Sequence, residues 1–213
     1  MKKIIVIALS MVLFSCSNND DQPTNEQQNL NNSIAYFEFK LNNTPFLYQQ
    51  ENFTNPSFFN EYNHSYSIFL DPYYRVYSYS STLYKFNYET TESISLDFHN
   101  LFGSSSSIEE TNSFYTIFDN KPNNFLTYND NSNNMGVSVG FSDIDGNYYT
   151  SQNGEQSNSM INYTSTTQSE LNGYKRVIIT GTINCVLYNS NDSNQTLNLT
   201  NGKFKLIFEE SNL

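Results

Sequence analysis

Tryptophan is absent from the 213 residues, there are only two cysteines, and basic residues are scarce, ten Lys and Arg against 21 Asp and Glu. Each shortage excludes something. Nucleic-acid binding needs clustered Lys and Arg to neutralise phosphates, and the few basic residues here are scattered singly or in pairs such as Lys175-Arg176. Electrostatic attachment to an anionic lipid surface is disfavoured for the same reason. No apolar run approaches the about 20 residues that a membrane-spanning helix requires. Also missing are a Gly-rich phosphate loop, HExxH, GxSxG and CxxC, so the common motifs of nucleotide, zinc-protease, serine-hydrolase and redox chemistry do not apply. Neither an enzyme nor a cofactor is expected.

What is present starts at the N-terminus. Met1-Lys2-Lys3 precedes an apolar run from Ile4 to Phe14, and Ser15-Cys16 follows. A short positive start and an apolar run of about ten residues make a secretory signal. Leu13-Phe14-Ser15-Cys16 resembles a lipobox, the recognition sequence of lipoprotein signal peptidase, although Phe14 is bulkier than the usual second residue. The resemblance implies cleavage before Cys16 and a lipid anchor on its sulfur. More than one acyl chain is needed for stable anchoring, because each buried CH₂ contributes only about 0.8 kcal/mol. Ser17-Asn18-Asn19-Asp20-Asp21 is similar to the acidic tract that follows the lipidated cysteine in surface-exposed lipoproteins of the Bacteroidota type. An outer-membrane lipoprotein is expected, facing outward or else toward the periplasm. Loss of residues 1–15 removes two lysines and no acid, and so moves the formal charge from −11 to −13.

Residues 1–15 thus read as a signal peptide and 16–32 as a lipidated tether, polar and without apolar periodicity. Residues 33–213 read as a single β domain. Its 17 Tyr and 17 Phe suit half-buried pleated surfaces, with Asn, Ser and Thr in the turns. Ala35, Phe37, Phe39 and Leu41 alternate with polar residues before Asn42-Asn43. Similar alternation runs through Tyr66–Leu70, Tyr84–Tyr88 and Ile94–Phe98, in stretches of about 5–8 residues. Asp145-Gly146 and Asn201-Gly202 are favoured hairpin turns, and Ile108–Phe118 is the single stretch with helical spacing. The expected fold is all-β: an antiparallel β-sandwich or a partly closed barrel with at most one short helix.

The segment Ile179-Thr180-Gly181-Thr182-Ile183-Asn184-Cys185-Val186-Leu187-Tyr188, then Leu199-Thr200-Asn201-Gly202-Lys203-Phe204, resembles the C-terminal pattern of small uncharacterised Bacteroidota lipoproteins, a GT-x-x-C-x-LY strand and a TNG-x-F hairpin. Phe39–Phe46 is similar to their first hairpin. Ile183 stands where they carry an aromatic, and Asn43 where glycine is common. The resemblance implies a compact β domain and supplies no catalytic residues.

Four further features could carry chemistry. Asp97 and His99 share a strand face, as a metal-ligand or acid–base pair would. Asp143, Asp145 and Asn147 offer alternating oxygens to calcium, without the glutamate that completes an EF-hand loop. Tyr73, Tyr74, Tyr77 and Tyr79 cluster after Asp71-Pro72 and could stack on sugar rings or peptide. Cys185 lies on the apolar side of a strand and reads as a small core residue. The expected role is binding, or a structural part in the envelope, through an unidentified protein or glycan partner. The competing classes are a carboxylate-dependent exported hydrolase and an accessory subunit acting on glycans.

Overall fold

A computed structural model describes residues 30, 33–50, 58–70, 73–87, 90–103, 113–128 and 135–210; at 58–60, 62–70, 73–75, 87, 101–103 and 113 it describes the backbone alone. The strands are β1 (Ala35–Leu41), β2 (Thr44–Gln50), β3 (Phe58–Leu70), β4 (Tyr73–Asn87), β5 (Thr90–Gly103), β6 (Met135–Ser142), β7 (Tyr148–Thr150), β8 (Met160–Leu171), β9 (Tyr174–Asn189) and β10 (Thr196–Glu209); one helix, α1 (Ser113–Asn120), sits between β5 and β6.

All ten strands join one antiparallel sheet in the order β2-β1-β10-β9-β7-β6-β5-β4-β3, with β8 beside β9 off this path. The first strand therefore pairs with the last. The sheet curls strongly, so that β2 and β10 come to face β3 and β4 across the interior. It stays open: β2 and β3 approach but form no ladder among the described residues. The architecture is a half-barrel with one short helix.

Period-two alternation decides which face is which. In β9, Val177, Ile179, Gly181, Ile183, Cys185 and Leu187 are all buried, and in β5 Ile94, Leu96 and Phe98 point the same way into the curl. Opposite them the outer face of β4 and β5 is hydroxyl-rich, with Ser78, Ser80, Thr82, Ser93, Ser95 and Asp97. Hydroxyls between apolar neighbours make these strands look interrupted in sequence, yet β3, β4, β5, β8, β9 and β10 run to 12–16 residues. Such strands are long enough to cross a bilayer, which takes about 9–11 residues. The polar outer face and apolar interior are the reverse of what a membrane barrel presents to lipid.

Helix α1 starts later than its spacing suggests, at Ser113, and residues 108–112 lie outside the described ones. Eight residues cannot hold a helix in water alone. Packing holds this one: Phe114, Ile117 and Phe118 are buried in the concave side of the sheet. Phe118 lies 4.9 Å from Phe98 and 5.0 Å from Phe208, and Phe114 meets Tyr79 edge-on at 5.0 Å.

Two turns behave as their residues predict. Asn42 and Asn43 take φ of 47° and 72° in a two-residue turn between Leu41 and Thr44. Gly146, at φ 81°, shapes the β6–β7 connection. Asn201-Gly202 is a correction. It makes no hairpin; it is a β-bulge inside the continuous β10, where Thr200 and Asn201 together face Asn184. Asn201 adopts φ 55° and its N–H donates to Asn184 Oδ1 at 2.8 Å. The bulge shifts the inward phase from Leu199 to Gly202 and Phe204, so the strand continues with its apolar side still facing in.

Candidate functional site

Half of the tyrosine cluster is core and not surface. Tyr77 and Tyr79 are 5% and 2% exposed and belong to the core, because odd positions of β4 face inward. The side chains of Tyr73 and Tyr74 lie outside the described residues, as does Cys16. His64 falls within β3, opposite Tyr79, with its side chain likewise outside the described residues.

The calcium triplet is a turn. Asp143 Oδ1 accepts from the backbone N–H of Asp145 (3.0 Å) and Asn147 (2.8 Å), and Oδ2 accepts from Asn147 Nδ2 (2.8 Å). The carboxylate is committed to two backbone N–H groups, as in an Asx-turn, and to one side-chain amide, and no group of three metal-ligating acids, His or Cys occurs among the described residues. Cys185 is buried in apolar surroundings, which pushes its thiol well above the ordinary range and away from nucleophilic use.

Asp97 and His99 do share the outer face, and their surroundings make a connected polar site. His99 is clasped by two hydroxyls: Ser78 Oγ lies 2.7 Å from Nδ1 and Ser138 Oγ 2.7 Å from Nε2. Ser138 donates to Asp97 Oδ2 at 3.3 Å, and Ser95 donates to the same oxygen at 3.1 Å. With Ser138 donating to the carboxylate, its oxygen accepts from Nε2–H, which leaves Nδ1 to accept from Ser78. The chain Ser78–His99–Ser138–Asp97 thus ties β4, β5 and β6 together.

Burial holds the His99 imidazole below its usual 6.5, with the nearby Asp97 carboxylate acting weakly in the opposite direction. The folded state therefore favours the neutral ring, and the unfolded chain takes up the proton first. The stabilisation from this site is fully present above the unfolded value of 6.5 and is lost as pH falls through it. Urea midpoints of the wild type and of His99→Gln at pH 7.5 and 5.5 check this. The wild type is expected to lose more stability on acidification than the variant. Equal losses would refute it.

The outer face of β6 is unusually bare, since the positions facing His99, Asp97 and Ser95 are Gly136, Ser138 and Gly140. A Cβ on Gly136 would lie 2.4 Å from Leu126 Cγ, and one on Gly140 would lie 2.7 Å from the Tyr148 hydroxyl. Leu126 and Tyr148 thus rest directly on the sheet and form two walls around Ser138, which is 1% exposed. Tyr128, 62% exposed, stands beside Tyr148. Sequence reading found Asp97 and His99 but missed the walls. The available signal was Gly136-Val137-Ser138-Val139-Gly140, small residues alternating with valine on one strand.

A concavity lies across the outer face of β2, β1, β10 and β9. It encloses about 750 Å³ and is lined by Leu30, Pro45 and Leu47 on one side and by Thr182, Asn184 and Asn201 on the other, with Glu38, Lys40 and Lys203 between them. The Asn201-Gly202 bulge sits within it. Glu38 and Lys203 pair at 3.6 Å, both well exposed, while Lys40 enters none of the ion pairs among the described residues. Two lysines against one glutamate make this groove locally positive in a strongly acidic chain. No protein-family model, no curated protein and no solved structure matches this chain.

Proposed function

We propose that the chain is an exported lipoprotein, held in the outer membrane through lipid on Cys16, whose half-barrel binds another envelope component without catalysis. The observation that carries the binding role is the 750 Å³ groove on the outer face of β2-β1-β10-β9. Its length across four strands suits an extended segment, and its apolar rim at Pro45 and Leu47 with Lys40 beside it suits one bearing negative charge. The lysine-initiated leader, the Leu13–Cys16 motif and the resemblance to Bacteroidota lipoproteins support the location.

The groove chemistry supports binding over glycoside hydrolysis. Retaining and inverting hydrolases both use two carboxyl groups, about 5–9.5 Å apart, and among the described residues Glu38 is the one acid lining this groove. A photo-reactive side chain in place of Leu47, activated in intact cells, is expected to give a discrete adduct that the same group in place of exposed Thr167 does not give. Lys40→Glu is expected to weaken that adduct. Equal adducts from both positions, or none from Leu47, would count against the groove.

A further inference from the structure

We infer that the resident occupant of the groove is the chain's own acidic tether, residues 17–29, which an outside ligand must displace. The inference rests on the groove being a site for an extended acidic segment, as proposed above, and adds how access to that site is controlled. The point of entry is fixed in the structure. Leu30 forms part of the groove wall, and its carbonyl accepts from the Ser33 N–H at 3.3 Å. Ser33 is buried and its own carbonyl accepts from Lys205 Nζ at 2.8 Å. The next N–H, of Ile34, donates to the Gln50 carbonyl at 2.8 Å. The polypeptide therefore enters the domain through the groove, and residues 17–29, which lie outside the described ones, join it at the wall.

Charge and reach select this occupant. Residues 17–29 carry Asp20, Asp21 and Glu26 and no basic residue. In the groove, Lys40 is exposed and enters none of the ion pairs among the described residues. Lys203 pairs with Glu38 at 3.6 Å, with both side chains well exposed. Exposed pairs of this kind are weak, so Lys203 can exchange Glu38 for another carboxylate. The four strands under the groove span about 14–15 Å from first to last. Glu26 is four residues from Leu30, and four extended residues cover up to about 13–14 Å. Glu26 therefore reaches either lysine, and Asp20 and Asp21 reach further still. A carboxylate held to the wall by so short a linker has an effective concentration of about millimolar, so a weak contact is enough to fill the groove.

Carbodiimide coupling of the full mature chain in detergent tests this, because the reagent joins a carboxylate to a lysine amine only where the two already meet. Peptide mapping by mass spectrometry is expected to find Glu26, Asp20 or Asp21 joined to Lys40 or Lys203, and not to exposed Lys121, which lies outside the groove. In a mixture of isotope-labelled and unlabelled chains, each link is expected to stay within one isotopic form. Asp20→Asn, Asp21→Asn and Glu26→Gln together, all outside the strands, are expected to raise the yield of the Leu47 photo-adduct about twofold or more, since a tethered competitor is removed. No tether link at either groove lysine, equal coupling to Lys121, links only between labelled and unlabelled chains, or a Leu47 adduct of unchanged yield would overturn the inference and leave the groove's outside partner in place. A tether link with no Leu47 adduct to another component, even from the neutralised form, would support the inference and remove the outside partner instead.

Discussion

Phe98→Ala is expected to cost about 3–5 kcal/mol of stability, the range for deleting a buried aromatic ring from a packed core. Phe98 is 0% exposed and stands where the helix, β10 and β8 converge on β5. Its ring lies 4.9 Å from Phe118, 5.1 Å edge-on from Phe208 and 6.1 Å from Tyr163. Removing it leaves a cavity and takes away the main support of α1, which is too short to persist without packing. With total stabilities of about 5–15 kcal/mol for a domain, a fifth or more of the margin would go. Urea denaturation should show a much lower midpoint, and hydrogen exchange should speed up first at residues 113–120. A loss below about 1 kcal/mol would show that the aromatic cluster is not the centre of the core.

Gly181→Ala is expected to be the most damaging single-methyl change, costing about 1–3 kcal/mol or more from overpacking. A Cβ there would lie 2.3 Å from the Asn162 carbonyl oxygen and 2.6 Å from Phe204 Cζ. The first of these atoms is backbone, so relief means moving β8 away from β9 near its bulge between Tyr163 and Ser165. Phe204 is wholly buried and has no free direction in which to retreat. A melting temperature several degrees below wild type is expected, with β8 amides losing protection. A wild-type melting temperature would mean that β8 gives way without cost.

The strand faces were legible in the sequence wherever apolar and polar residues alternate, as in Ala35–Leu41 and Val177–Leu187, because one face is buried and a register slip would expose it. Turns were legible only in part. The same dipeptide closes a hairpin at Asn172-Gly173, φ 55° and 86°, and makes a bulge at Asn201-Gly202. Sequence reading took the second for a hairpin and overlooked the first. Local chemistry supports both, since each needs a residue with positive φ. What separates them is distant: β9 runs 16 residues and pairs with β10 from Arg176 to Tyr188, which requires β10 to continue past its bulge.

The candidate site shows the same division. Asp97 and His99 could be placed on one face by counting twos. Their partners Ser78 and Ser138 lie 21 and 39 residues from His99, and the strand order that aligns β4, β5 and β6 is not written locally. Tyr77 and Tyr79 were misjudged because an alternating strand has two faces and composition does not say which one is covered. The groove needed a bulge in β10 and the pairing of the first strand with the last, both of which come from the assembled sheet.

The intact mass of the mature protein extracted from outer membranes tests the envelope assignment most directly. The account predicts an N-terminal Cys16 bearing acyl chains, and a Cys16→Ser form recovered in the detergent-free soluble fraction. A wild-type protein that retains residues 1–15, or carries an unmodified thiol at position 16 and partitions into water, would contradict it.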